Sequence, residues 1–179
     1  MKKILCLLTI ITNLSLAVNV KGDINIEGGY VRFLSGKNSD NSGNIGGNVN
    51  FKVQIPETLL KSDKTNLYFG GGVSQEILIN KNLTVSRTKV NVKSELEYLY
   101  TKDLKPYLEI NAGIGAIYNN AGSTFTGGAG IGTGIKYKNT IVGISLGIDN
   151  FKLPEKENTN SFKVGAKIGY EFDILKTNK

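Results

Sequence analysis

Among 179 residues there is no histidine and no tryptophan, and there are only three prolines and one cysteine. Without histidine, the one side chain that titrates unaided near neutral pH, acid–base and nucleophilic chemistry is left to carboxylates, Lys, Tyr and Ser. The cysteine, Cys6, lies early in the first apolar run, so the chain beyond it has neither disulfides nor a thiol nucleophile. Helical periodicity is missing past the first twenty residues, which argues against a packed α/β enzyme. No residues have metal-ligand spacing, and no cofactor is expected. GAGIGTG at Gly128 to Gly134 lacks the lysine and the following helix of a phosphate loop. The formal charge of +7 is spread along the chain rather than clustered, so nucleic acid is not an expected partner.

Glycine is abundant, at 22 residues, and so is strict alternation. From Phe162 to Ile174 the even positions are Phe, Val, Ala, Ile, Tyr, Phe and Ile, and the odd ones are Lys, Gly, Lys, Gly, Glu and Asp. This is the period of a strand with two unlike faces. The same pattern predicts seven earlier strands: 23–34, 44–55, 66–79, 84–100, about 107–118, 125–137 and 142–149. Pro56 ends the second, because proline cannot donate to a ladder. The stretch PETLLKSDKT then makes a turn or a single helical turn at Leu59 and Leu60. Gln75 is the one polar intruder on an apolar face. Lys138-Asn139 reads as a tight hairpin turn. Ahead of the strands, Met1-Lys2-Lys3, an apolar run and the small Ser15 and Ala17 have the form of a secretory signal peptide. The expected division is a signal over 1–17, with a cut as late as 22, a barrel over 23–174 and a short periplasmic tail over 175–179.

Eight two-faced strands close either as a soluble carrier with its apolar face inward or as a membrane barrel with that face outward. Three features select the membrane barrel. Arg32 is the only charge on the apolar parity, as a bilayer penalty of about 2–4 kcal/mol for a midplane Lys or Arg would require. Gly128, Gly130, Gly132, Gly134, Gly143, Gly147, Gly165 and Gly169 lie on the polar face, where a narrow lumen needs small residues beside long ones. Aromatic residues fall at two rims: Phe69, Tyr98, Tyr100, Tyr137, Tyr170 and Phe172 at one, and Tyr30, Tyr118, Phe125 and Phe162 at the other.

On these grounds the chain resembles the eight-stranded outer-membrane proteins, the OmpA transmembrane domain, OmpX and opacity-protein group, over Asp23 to Ile174. The last strand is similar to that family's assembly signal at Lys167, Gly169, Phe172 and Ile174, and again at Lys163, Gly165, Ile168 and Tyr170. The tail Leu175 to Lys179 departs from the terminal aromatic usual in the family. The resemblance implies an all-β, up-and-down transmembrane barrel in the outer membrane, in contact with its lipids and with the barrel-assembly machinery. Outer-membrane barrel enzymes (deacylases, phospholipases, surface proteases) use a histidine, so no enzymatic activity is expected here.

The polar parity carries nine acids, Asp23, Glu27, Glu76, Glu95, Glu97, Glu109, Asp149, Glu171 and Asp173. Seven bases share it: Lys52, Arg87, Lys89, Lys93, Lys136, Lys163 and Lys167. Buried ions must pair or hold water. The reading is a plugged lumen in a monomer with an envelope or adhesin-like role. A narrow channel and a soluble lipocalin-like carrier are the alternatives. Glu95 and Glu97 share a face as network members rather than as a catalytic pair. Surface contacts would come from the loops 35–43, 80–82, 119–123 and 152–161, with Phe151 and Leu153 as apolar candidates for a host or surface ligand.

Overall fold

The computed structural model describes residues 19–34, 41–56, 62–80, 83–119, 122–152 and 158–176. They form eight strands: β1 (Val20–Phe33), β2 (Asn41–Gln54), β3 (Thr65–Asn80), β4 (Leu83–Tyr98), β5 (Leu104–Asn119), β6 (Gly122–Tyr137), β7 (Thr140–Lys152) and β8 (Asn158–Leu175). Each strand pairs antiparallel with the next, and β8 pairs with β1 from Val20↔Leu175 to Phe33↔Ser161, so the sheet is a closed barrel. Closure leaves no edge strand whose N–H and C=O groups would lie unpaired in lipid.

All the strands but β4 are longer than alternation predicts, and the eight run to 13–18 residues, whereas a tilted strand crosses a bilayer in about 9–11. Most of the excess lies at the distal end, away from the start of β1 and the end of β8. Asn41 to Gly43, Gly122 to Ser123 and Asn158 to Ser161 fall in the expected loops and instead continue the ladder. Their polar side chains break the apolar pattern, but their backbones still pair. The barrel wall therefore rises beyond its apolar band. At the proximal end β1 begins at Val20, not Asp23, and β4 stops at Tyr98, leaving Tyr100 in the following turn. Lys138-Asn139 is the two-residue turn between β6 and β7, with Lys138 at φ 53. The signal segment, Leu59, Leu60, Leu153 and the loop residues 35–40, 81–82, 120–121 and 153–157 lie outside the described residues.

Candidate functional site

The lumen is filled in layers. At the proximal end five cations and five anions interlock. Lys136 Nζ lies 2.5 Å from Glu95 Oε1, 2.5 Å from Glu97 Oε1 and 2.6 Å from Glu171 Oε2. Lys52 reaches Glu95 and Glu171, each at 2.5 Å, and Lys21 reaches Glu171 at 2.6 Å. Lys93 pairs with Asp23 at 3.1 Å and Lys167 with Glu109 at 2.5 Å. Beneath this lattice the Tyr68 ring receives Lys21 and Lys52 at 4.9 and 5.0 Å from its centroid, and Tyr107 receives Lys167 at 5.1 Å. Such cation–ring contacts strengthen where water is excluded.

Further along, three cations meet three anions. Arg87 bridges Glu76 and Asp149, the latter at 2.7 Å; Lys89 reaches Asp149 at 2.8 Å; Lys163 joins Glu76 at 3.0 Å and Glu27 at 3.2 Å. Between the two clusters is a cavity of about 100 Å³ lined by members of both and by neutral residues such as Asn48, Ser74, Asn91, Asn111 and Ser145. That is room for several waters among polar partners. At the distal end Val31, Leu78, Val85 and Ile117 pack together, with Phe33 against them. Buried Thr126 and Ser161 lie on the remaining side, on β6 and β8.

Among the described residues, lumenal ion pairs thus join eight cations to eight anions, in two clusters that are each neutral. Sequence parity missed one member and included one outsider. Lys21 precedes the expected start of β1, yet it is buried in the lattice; Asp173 shares the inward parity but lies at the mouth, exposed, 3.9 Å from Lys176. Glu95, Glu97 and Glu171 bring three carboxylates within 4.8 Å of one another, which no spacing announced because Glu171 is on another strand. Their meeting point is held by the Lys136 ammonium, so the trio is a cage for a side chain rather than an open cation site. Glycines make room for this filling. A Cβ at Gly132 would stand 2.7 Å from Glu109 Oε1, and one at Gly143 would collide with the Tyr107 hydroxyl.

The outer wall is the inverse. Ile110, Ile114 and Ile168 are 57%, 61% and 58% exposed, while Lys167 and Glu109 are 6% and 4% exposed. Among the described strand side chains, Arg32, at the distal end, is the one charge facing outward. Gln75, also outward, donates to Ser86 Oγ at 2.6 Å and accepts from Thr88 Oγ1, so its amide is satisfied on the wall. An apolar belt around an ionic interior is what hydrocarbon requires and water does not. A soluble carrier would have these faces exchanged, and that alternative is overturned.

The chain is similar in structure to Neisserial surface protein A, with a TM-score of 0.57 at 12% identity, covering 84% of this chain and 97% of that one. It is also similar to the outer membrane enzyme PagL, with a TM-score of 0.54 at 14% identity, covering 81% and 97%. No family model and no curated protein matches it. Its fold is that of the eight-stranded outer-membrane β-barrels.

In this outer-membrane barrel, Phe69, Tyr98, Tyr137 and Tyr170 face outward near the proximal rim, with Tyr100 exposed in the turn beyond. Tyr30, Tyr118, Phe125 and Phe162 face outward towards the distal one. Phe172 is half-buried because its ring lies over Gly22. Of the four residues resembling an assembly signal, Lys167 and Gly169 point into the lumen, while Phe172 and Ile174 lie on the outward parity.

Proposed function

We propose that this protein is a monomeric, non-enzymatic component of the bacterial outer membrane with an envelope or surface-interaction role, and that its lumen is a plug. The observation that carries this reading is the eight-to-eight pairing of lumenal ions in two neutral clusters beneath an apolar layer. Among the described residues each enclosed lumenal carboxylate is engaged by a lysine or arginine, so the lumen offers proton-transfer chemistry no free group to start from. The overshoot of the distal strands favours surface contact, since it carries their polar ends beyond the apolar band. Planar-bilayer recording tests the plug. A silent membrane is expected, and steady unitary openings from the purified barrel would end the reading.

A narrow channel is the second reading, favoured by the polar-lined cavity between the clusters. The barrel-assembly machinery is a further proposed partner. It would meet β8 before closure, while Lys167 and Gly169 are still free, with Phe172 and Ile174 as the apolar part of the signal. Alanine at both Phe172 and Ile174 should lower the amount of folded barrel in cells while leaving refolding of the purified chain into detergent intact.

A further inference from the structure

The proximal rim carries a second charged surface, and this one is exposed. The turn after β4 and the turn after β6 are fastened together, the Lys138 N–H donating to the Asp103 carbonyl at 2.7 Å. Asn139 Nδ2 in turn donates to the Glu171 carbonyl at 2.7 Å, and the Glu171 N–H returns a bond of 2.7 Å to the Asn139 carbonyl. The register Tyr137↔Thr140↔Tyr170 sets two tyrosines on the outward face on either side of the turn. Lys138 holds its ammonium 5.7 Å from the Tyr137 centroid. Lys102 stands exposed in the adjoining turn, two residues after Tyr100, which is 68% exposed. Among the described residues neither lysine forms an ion pair. Lys102, Asp103, half-buried Lys105 and Lys138 together leave a formal charge of +2.

This contrasts with the two lumenal clusters, where each described cation is matched. We propose that the rim formed by the β4–β5 and β6–β7 turns is a headgroup site for an anionic phospholipid, its phosphate between Lys102 and Lys138 and its glycerol region against Tyr100, Tyr137 and Tyr170. Lysines draw anionic headgroups, and tyrosines settle at the headgroup level, where one end of the ring is apolar and the other wet. The turns are fastened by backbone hydrogen bonds, so the two ammonium groups are carried on a fixed frame. The site needs only the membrane barrel and is independent of whether the lumen is plugged.

The test uses the full folded chain in detergent, with native mass spectrometry counting retained lipid. The probes are phosphatidylglycerol and phosphatidylcholine of identical chains and, separately, inorganic phosphate. Phosphatidylglycerol should be retained in preference, with about a fivefold loss of that preference for each of Lys102→Gln and Lys138→Gln. Arginine at both positions should restore it, and raised salt should weaken it. Unchanged heat-shifted gel migration of each variant shows that the barrel itself is intact. If Lys138→Gln fails that check, Lys102→Gln alone carries the test, since its side chain leaves the fastened backbone untouched. Undiminished preference in the double variant would overturn the site. So would full displacement of the lipid by inorganic phosphate, which would make it a site for the free anion.

Discussion

Lys136 shows how much one side chain can carry in this interior. Its ammonium is the common partner of Glu95, Glu97 and Glu171, and it is 1% exposed. Removing one partner of a buried ionic group leaves the others uncompensated, at about 3–5 kcal/mol. Lys136→Met should therefore lower the unfolding free energy by about that amount in urea titrations of the folded fraction in vesicles. Lys136→Met combined with Glu97→Gln should recover part of it. On the outer wall the sign of a substitution depends on the solvent. Ile110 stands mid-strand and is 57% exposed, so in water Ile110→Lys would be nearly neutral. In a bilayer it should cost about 2–4 kcal/mol. A loss near zero in the same titration would place that face in water and undo the membrane assignment.

At the scale of the strand, glycine separates the two faces. Gly143 faces the lumen beneath the Tyr107 hydroxyl, and an added Cβ would also stand 2.7 Å from the Thr133 carbonyl oxygen. Gly127 faces outward, and the nearest atom to a Cβ there is 3.7 Å away, an ordinary contact. Gly143→Val should destabilise by about 1–3 kcal/mol through overpacking. Gly127→Ala should be neutral or add about 0.5–1 kcal/mol. Equal effects in parallel unfolding curves would refute this account of the lumenal glycines.

Alternation made the eight strands and the choice of face legible, because the period of two is written directly in the sequence. Height within the barrel is not written there. Leu78 shares the polar parity of β3 with Glu76 and nothing in the sequence marks it out, yet it meets Val31, Val85 and Ile117 from three other strands. Their common level depends on the stagger of the sheet, which no single strand encodes. Lys21 and Asp173 mislead for a different reason: they are register partners at one level, and only the lysine is long enough to reach the lattice while the aspartate stays at the mouth. Strand ends were misread wherever polar residues such as Asn41, Ser42 and Thr159 continue a ladder without the apolar partner that signals it.

For the whole molecule, the interior is stopped at two levels by different means, ionic near the proximal end and apolar near the distal one. The cavity between them can be reached without opening a through-path. With Cys6 the only cysteine in the sequence, Asn48→Cys in the cavity lining is a clean reporter. Leu78→Ala with Ile117→Ala should speed its labelling by a membrane-impermeant thiol reagent several-fold while the planar bilayer stays silent. Current through that variant would mean the ionic layer does not seal.

The ion pair between Lys21 and Glu171 joins residues 150 positions apart, across the junction of β1 and β8. Until that seam shuts, the acids and bases of the interior line a curved, wet sheet with no common volume to share. A chain that has delivered seven strands therefore still lacks two of the eight ladders and three members of the ionic interior, Lys163, Lys167 and Glu171, and the eighth strand supplies them in one step. Contacts so distant in sequence make the closing event slow to find. The same lateness makes it hard to reverse, since opening the seam would break the ion pairs that span it and bare their charges together.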